Sequence, residues 1–177
     1  FKVTTLCGVP TSLIKLVSEI QKQKPAALKS LRKILYGGES MYPDQIQWLK
    51  STLPRVTVSS IGYASVDGGL LGYAGKDCAI DEHRVFSSST YMEILDEETG
   101  QPIDEIKKAG RLYVTNLTRR LMPILRYPAG DRALWLEPKG TINRKFKILG
   151  RDEQGARVGR VTVYFEDVRS VLEKILH

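Results

Sequence analysis

The stretch RKILYGGESMYPDQIQWLKSTLPRVTVSSIGYASVDGG, residues 32–69, decides the fold. Its opening run Arg32, Lys33, Ile34, Leu35 and Tyr36 stops at Gly37-Gly38, the pattern of a strand ended by a turn. Pro43 suits the first turn of a helix, where its missing N–H leaves no bond unmade. That helix carries Ile46, Leu49 and Leu53 inward and ends near Pro54. Val56, Thr57 and Val58 read as the next strand, followed by Gly62 and the pair Gly68-Gly69. Strand, helix, strand at this spacing predicts a parallel pair with a right-handed crossover. The first third is therefore α/β.

Upstream, Leu13, Ile14, Leu16, Val17 and Ile20 recur at helical spacing, with Lys15, Ser18, Glu19 and Lys22 on the other side. Lys24-Pro25 ends that helix, because a residue before proline disfavours the α region. A short helical turn is expected over 26–30. Downstream the texture changes to short β-type runs at 83–86, 91–95, 111–116, 133–136 and 145–149. A turn signal over 96–100 lies between two of them, and the set predicts an antiparallel sheet or partly open, distorted barrel. A strand over 158–163 and an amphipathic helix over 167–176, carrying Val168, Val171, Leu172 and Ile175, complete the chain. The expected organisation is an α/β lobe over 1–82, an antiparallel β lobe over 83–150, and a hinge and small βα tail over 151–177.

Bulk properties narrow the function classes. With 177 residues, 42% hydrophobic and 27% charged, the chain has ordinary globular composition. No apolar run reaches the ~20 residues of a membrane span. The chain opens on Phe1 with no signal-like segment, which we read as an excised or processed piece of a cytoplasmic protein. Cys7 and Cys78 are too few for a thiolate zinc site and are expected to be ordinary reduced residues. The net charge of +7 and pI near 9.4 would attract polyanions. The basic residues are scattered among acidic ones, however, and no nucleic-acid-binding module is visible. Solvated faces plus contacts to a phosphate-bearing small ligand account for the charge without nucleic acid.

Three clusters can carry chemistry. The first is Tyr36-Gly37-Gly38-Glu39-Ser40, between a strand and a helix, where glycines admit a ligand to the backbone and a helix N-terminus favours anions. The competing reading is a turn that needs glycine for its conformation alone. The second is Gly62-Tyr63-Ala64-Ser65-Val66-Asp67-Gly68-Gly69, after the second parallel strand, where open α/β sheets bind ligands. Tyr63 could stack on a base, Ser65 donate to a phosphate and Asp67 hold magnesium; a tight loop with a half-buried tyrosine is the alternative. The third is Leu125-Arg126-Tyr127-Pro128-Ala129-Gly130-Asp131 with Ile148-Leu149-Gly150-Arg151. There Asp131, on a Pro/Gly turn, could accept both hydroxyls of a ribose with Arg151 beside it, or could simply close the turn.

Taken together and in order, GGES, GYASVDGG, GRLYVTNLTRRLMPILRYPAGD and KILGRDEQ resemble the motifs of the adenylate-forming superfamily, above all the phenylacetate–CoA ligases. Residues 110–131 and 150–172 each align to the family's corresponding stretches without a gap. The resemblance covers the chain from about Pro10 onward.

Such enzymes join a carboxylic acid to AMP, release pyrophosphate, and pass the acyl group to a thiol. The resemblance implies ATP/AMP, magnesium and CoA as cofactors. It also implies a carboxylic acid, preferably aromatic, as substrate and CoA or a carrier-protein thiol as acceptor. Homo-oligomers are compatible with it; nucleic acid and membrane are not expected. By position, Gly37, Gly38 and Glu39 would line the adenine and acyl pockets, with Ser59, Ser60 and Ile61 nearby. Tyr63 would stack on adenine, with Ala64 and Ser65 following it. Asp67 stands where the family has a magnesium-binding Glu, Asp131 would hold the ribose, and Arg151 would contact the nucleotide. Glu153 would be the hinge of a C-terminal lid.

Departures accompany the match. Val66 replaces a hydroxyl residue, Asp67 is one methylene shorter than Glu, and Gly159-Arg160 replaces a basic-then-glycine pair. No Ser/Thr/Gly-rich phosphate loop precedes the first cluster, and Lys174 is too early to be the family's lid lysine. The expectation is a ligase segment inactive by itself. The alternatives are a degenerate relative that only binds an acyl ligand or nucleotide, and a basic nucleic-acid-binding domain.

Overall fold

The structure is a computed structural model and describes residues 2–152, 155–158 and 161–176. The chain divides into two compact units, Phe1–Ala64 with Gly72–Arg84, and Ser65–Leu71 with Val85–His177.

In the first unit, β1 (Thr5–Gly8), β2 (Lys33–Tyr36) and β3 (Thr57–Ser60) form a parallel sheet in that order. Helix α1 (Pro10–Gln23) links β1 to β2 through a 3₁₀ segment at Pro25–Ser30, and α2 (Pro43–Thr52) links β2 to β3. Proline opens both helices at a position where its missing N–H is an orphan in any case. At α2 the Gln45 side chain accepts the Tyr42 backbone N–H at 3.0 Å, satisfying one donor that the helix itself leaves unpaired. Leu13 and Val17 of α1, Ile34 of β2, and Ile46 and Leu49 of α2 form one apolar cluster with Met41, Leu53 and Val56. The parallel pairing and both helices are as the sequence predicts; β1 was not anticipated, since its four residues carry no alternation.

Strands β4 (Tyr63–Ser65), β5 (Gly69–Tyr73) and β6 (Glu82–Val85) occupy the stretch where the chain passes between the units. In the second unit, β7 (Thr90–Leu95), β8 (Ala109–Asn116), β9 (Tyr127–Trp135) and β10 (Lys145–Arg151) are neighbours in that order and antiparallel. On β9 the buried Ala129, Asp131, Ala133 and Trp135 alternate with less buried residues, the period-2 signature of a half-covered strand. Trp135 meets Phe146 of β10 edge-on at 6.4 Å, and the Arg144 guanidinium lies 4.1 Å from the Trp135 ring centroid.

Two local expectations are corrected. The run Tyr127–Asp131 is not a Pro/Gly turn but the first half of β9, with Pro128 opposite Tyr113 of β8. The alternating burial from Ala129 onward outweighs the turn preference of Pro128 and Gly130. The expected single strand over 158–163 is instead two strands, β11 (Gly155–Val158) and β12 (Val161–Tyr164), paired antiparallel with Val158 opposite Val161. A continuous β-type run carries no periodicity signal for the point at which one strand gives way to the next. Helix α3 (Phe165–Leu176) follows, and its Val168, Val171, Leu172 and Ile175 are exposed among the described residues.

Candidate functional site

In the first unit, the predicted glycine cluster sits at the carboxyl ends of β2 and β3. A Cβ on Gly37 would stand 2.5 Å from Ile61 Cγ1, so the turn after β2 closes against the turn after β3 only because residue 37 has no side chain. Gly38 has φ +80°, which a side chain would disfavour. Glu39 is exposed, and its Oε2 accepts the Thr11 hydroxyl at 3.0 Å.

Beyond β3, the Ser60 hydroxyl and His83 Nε2 are 3.0 Å apart, and Ser60 Oγ also accepts the Gly62 N–H at 3.0 Å. The Tyr63 ring lies 6.1 Å from the His83 ring, tilted by 45°. Burial pushes the His83 imidazole down to about 4, although the Asp81 carbonyl and the Glu82 charge oppose it. It is a neutral group at physiological pH. Ser60 and Cys78 line a small cleft of about 180 Å³ with Tyr36, Lys50 and Ile80. Ala64 is exposed and follows Tyr63 on β4.

In the second unit, residues 65–68 form a pinned loop. Ser65 Oγ accepts the Gly68 N–H at 2.9 Å, and Asn116 donates to the Gly68 carbonyl at 2.8 Å. The Arg119 guanidinium donates to the Asp67 carbonyl at 2.6 Å, and the Tyr127 hydroxyl donates to Asp67 Oδ2 at 2.7 Å. The hydrogen bond to Asp67 and its charge raise the Tyr127 phenol above its ordinary value, so it stays a donor. Val66 is 94% exposed and takes no part in this pinning.

The two members of the third cluster do meet. Arg151 Nη1 and Asp131 Oδ1 are 3.4 Å apart, across the paired positions of β9 and β10. Asp131 is buried while Arg151 is half-exposed, so the carboxylate is sheltered and the guanidinium can turn outward. Gly130 permits this approach: a Cβ there would lie 3.1 Å from Arg151 Nη2, and its φ of +78° is one that side chains rarely take. Tyr127 and Asp131 lie on the same strand, whose register with β8 is irregular between Pro128 and Arg132.

Glu153 lies outside the described residues. The residues that sequence reading missed are Thr11, His83, Asn116, Arg119 and Tyr127. All five act through partners remote in sequence; Asn116, Arg119 and Tyr127 stood inside the 110–131 stretch already singled out, but without a role.

The AMP-binding enzyme family profile matches residues 1–118. The chain belongs to that family. Phenylacetate–coenzyme A ligase of Thermus thermophilus is 37% identical over 84 residues, covering 45% of this chain and 19% of the relative. The enzyme of the same name from Aromatoleum evansii is 29% identical over 91 residues, covering 51% and 20%. Among solved structures, an open conformation of 2-hydroxyisobutyryl-CoA ligase with 2-HIB-AMP and CoA superposes with a TM-score of 0.74 at 19% identity. That alignment covers 98% of this chain and 42% of the ligase, and at this identity it speaks for the fold. The chain thus spans about a fifth of the length of the curated relatives it matches. Family membership and the mixed parallel and antiparallel fold agree with the resemblance drawn from the ordered motifs.

Proposed function

We propose that this chain is the part of an acid–thiol ligase that holds the nucleotide, in a protein that makes an acyl-AMP and then a thioester. The observation that carries the reading is the buried Asp131 paired with Arg151, opposite each other on adjacent strands, within a chain of this family. Both carboxylate oxygens are acceptors, so Asp131 suits the two hydroxyls of a ribose, while Arg151 suits a phosphate. Gly37, Gly38, Glu39 and Tyr63 are our candidates for the base and acyl pockets, Ala64 is a further nucleotide-binding candidate, and Ser65 is a candidate phosphate contact.

In the first half-reaction a carboxylate oxygen bonds to the α-phosphorus of ATP and pyrophosphate leaves. In the second, a thiol sulfur displaces AMP from the acyl carbon and its proton is released. The acid is already ionised at neutral pH, so the first step needs orientation and charge stabilisation rather than a general base. Among the described residues no three His, Cys, Asp or Glu side chains gather to hold a metal, so Asp67 would offer magnesium a single carboxylate, which the ion accepts when phosphate oxygens and water complete its shell. When bound there the ion would neutralise charge on the phosphates. Asp67's own contribution is a carboxylate held in one place; Arg151's is a half-exposed cation within reach of a phosphate.

An aromatic acid is the favoured substrate, because the curated relatives named above are phenylacetate–CoA ligases. CoA is the favoured acceptor over a carrier-protein thiol, and a cytoplasmic setting suits both substrates. The deciding experiment is ATP–pyrophosphate exchange by the intact protein as its source produces it, with a panel of aromatic and aliphatic acids. Acid-dependent exchange, with the Asp131→Asn variant weakening ATP use about tenfold or more, is the expected result. Saturable AMP binding with no exchange for any acid would replace this reading with a binding-only relative.

A further inference from the structure

We infer that Tyr127 is a positioning residue for Asp67, setting the direction in which that carboxylate presents its charge. The inference rests on the reading of Asp67 as the magnesium ligand and adds the residue that aims it.

Two kinds of contact fix Asp67, and they differ in chemistry. Its backbone is held by a cation: Arg119 donates to the Asp67 carbonyl at 2.6 Å, while Asn116 and Ser65 hold the carbonyl and N–H of Gly68 next to it. The carboxylate is approached by a neutral donor, the Tyr127 hydroxyl at 2.7 Å from Oδ2. That division matters. An arginine on the carboxylate would cancel the charge that draws a divalent cation. A phenol donates one hydrogen bond to one oxygen, fixes the side-chain torsion and leaves the net charge at −1. The arrangement is that of an outer-shell partner orienting a metal ligand.

Chain geometry makes the contact informative. Tyr127 opens β9, the strand that also carries Asp131, so the same strand supplies the candidate ribose carboxylate and sets the direction of the candidate metal carboxylate. Residue 67 is an Asp, whose short side chain has a small range of reach. The cost of misdirecting it is correspondingly large.

The test is Mn2+ binding to the intact protein, read by electron paramagnetic resonance in the presence of saturating α,β-methylene-ATP. Tyr127→Phe is expected to raise the Mn2+ dissociation constant about tenfold. Asp67→Asn should raise it at least as much, and Tyr127→Phe should add nothing in the Asp67→Asn background. Metal-free AMP affinity should stay unchanged in Tyr127→Phe. Replacing Tyr127 by 4-aminophenylalanine, which keeps an N–H donor at the same reach, should recover part of the Mn2+ affinity and serves if the Phe variant folds poorly. If Asp67→Asn weakens Mn2+ binding and Tyr127→Phe does not, the positioning role is overturned and the metal reading stands. If Asp67→Asn leaves Mn2+ binding unaltered, both fall together. Equal losses of AMP and Mn2+ affinity in Tyr127→Phe would mark the hydrogen bond as merely structural.

Discussion

The two units solve the problem of holding a loop still by different physics. In the first, the glycine turns are backed by an aliphatic cluster in which Val17, Ile34, Met41 and Leu49 are fully buried. In the second, the loop at 65–68 and the sheet beneath it are tied by directed polar bonds. Tyr127 reaches Asp67, Asn116 reaches Gly68, and Glu97 accepts from Arg132 at 2.8 Å and from the Tyr164 hydroxyl at 2.7 Å. Apolar packing tolerates a few tenths of an ångström of drift, whereas a hydrogen bond aims a particular atom. The difference teaches where reacting or ligating atoms are to be sought: in the unit whose residues are aimed.

The largest expected effects test the packed cores of both units alike. Phe146→Ala, which empties a site with no exposure beside Trp135, should cost about 4 kcal/mol, and Leu49→Ala about 3 kcal/mol. Urea unfolding of each variant reads the loss. A much smaller value for Leu49 would break the claim that the first unit depends on its aliphatic cluster.

Acid comes next, because the first unit contains one buried base among its apolar residues. The folded His83 value of about 4 lies below the unfolded 6.5, so between these limits the unfolded chain binds the extra proton. Stability from this group is complete above about pH 6.5 and falls as the pH drops through the window, by about 2 kcal/mol at pH 5. Urea midpoints from pH 7 to pH 5 for the native chain and His83→Gln would show it as the difference between the two slopes. Parallel slopes would remove His83 as the cause.

A smaller effect sharpens the polar side of the comparison. Glu97→Gln weakens a charge-assisted bond to Arg132, whose guanidinium carbon also sits 3.6 Å from the Tyr164 ring centroid. We expect a loss of about 1 kcal/mol, with faster proteolysis at the β11–β12 hairpin that Tyr164 ends. Smallest of all, Lys22→Ala breaks an exposed pair with Glu19 and should change stability by less than about 0.5 kcal/mol in thermal melting. A larger effect there would mean that surface charge, and not burial, sustains α1.

The chain's own order of residues determined a good deal. Apolar residues three and four apart place Leu13 and Val17, and Ile46 and Leu49, on buried helix faces; in the first unit, glycine and proline punctuation marks where β2, α1 and α2 stop. These signals are legible because they are local, acting over one or two turns of chain. The ordered motifs likewise identify the family and bring Asp131 and Arg151 forward as a pair.

What only the tertiary structure decided is long-range. That residues 127–131 are strand and not turn follows from the pairing of Tyr127 and Pro128 with β8 and of Asp131 with β10, which outweighs the preference of Pro128 and Gly130. That Tyr127 serves Asp67, that Asn116 serves Gly68 and that Ser60 faces His83 follows from chain segments meeting after 60, 48 and 23 intervening steps. A hydroxyl or amide in a sequence carries no mark of its partner, since its bond energy depends on distance and angle and on nothing in the intervening residues.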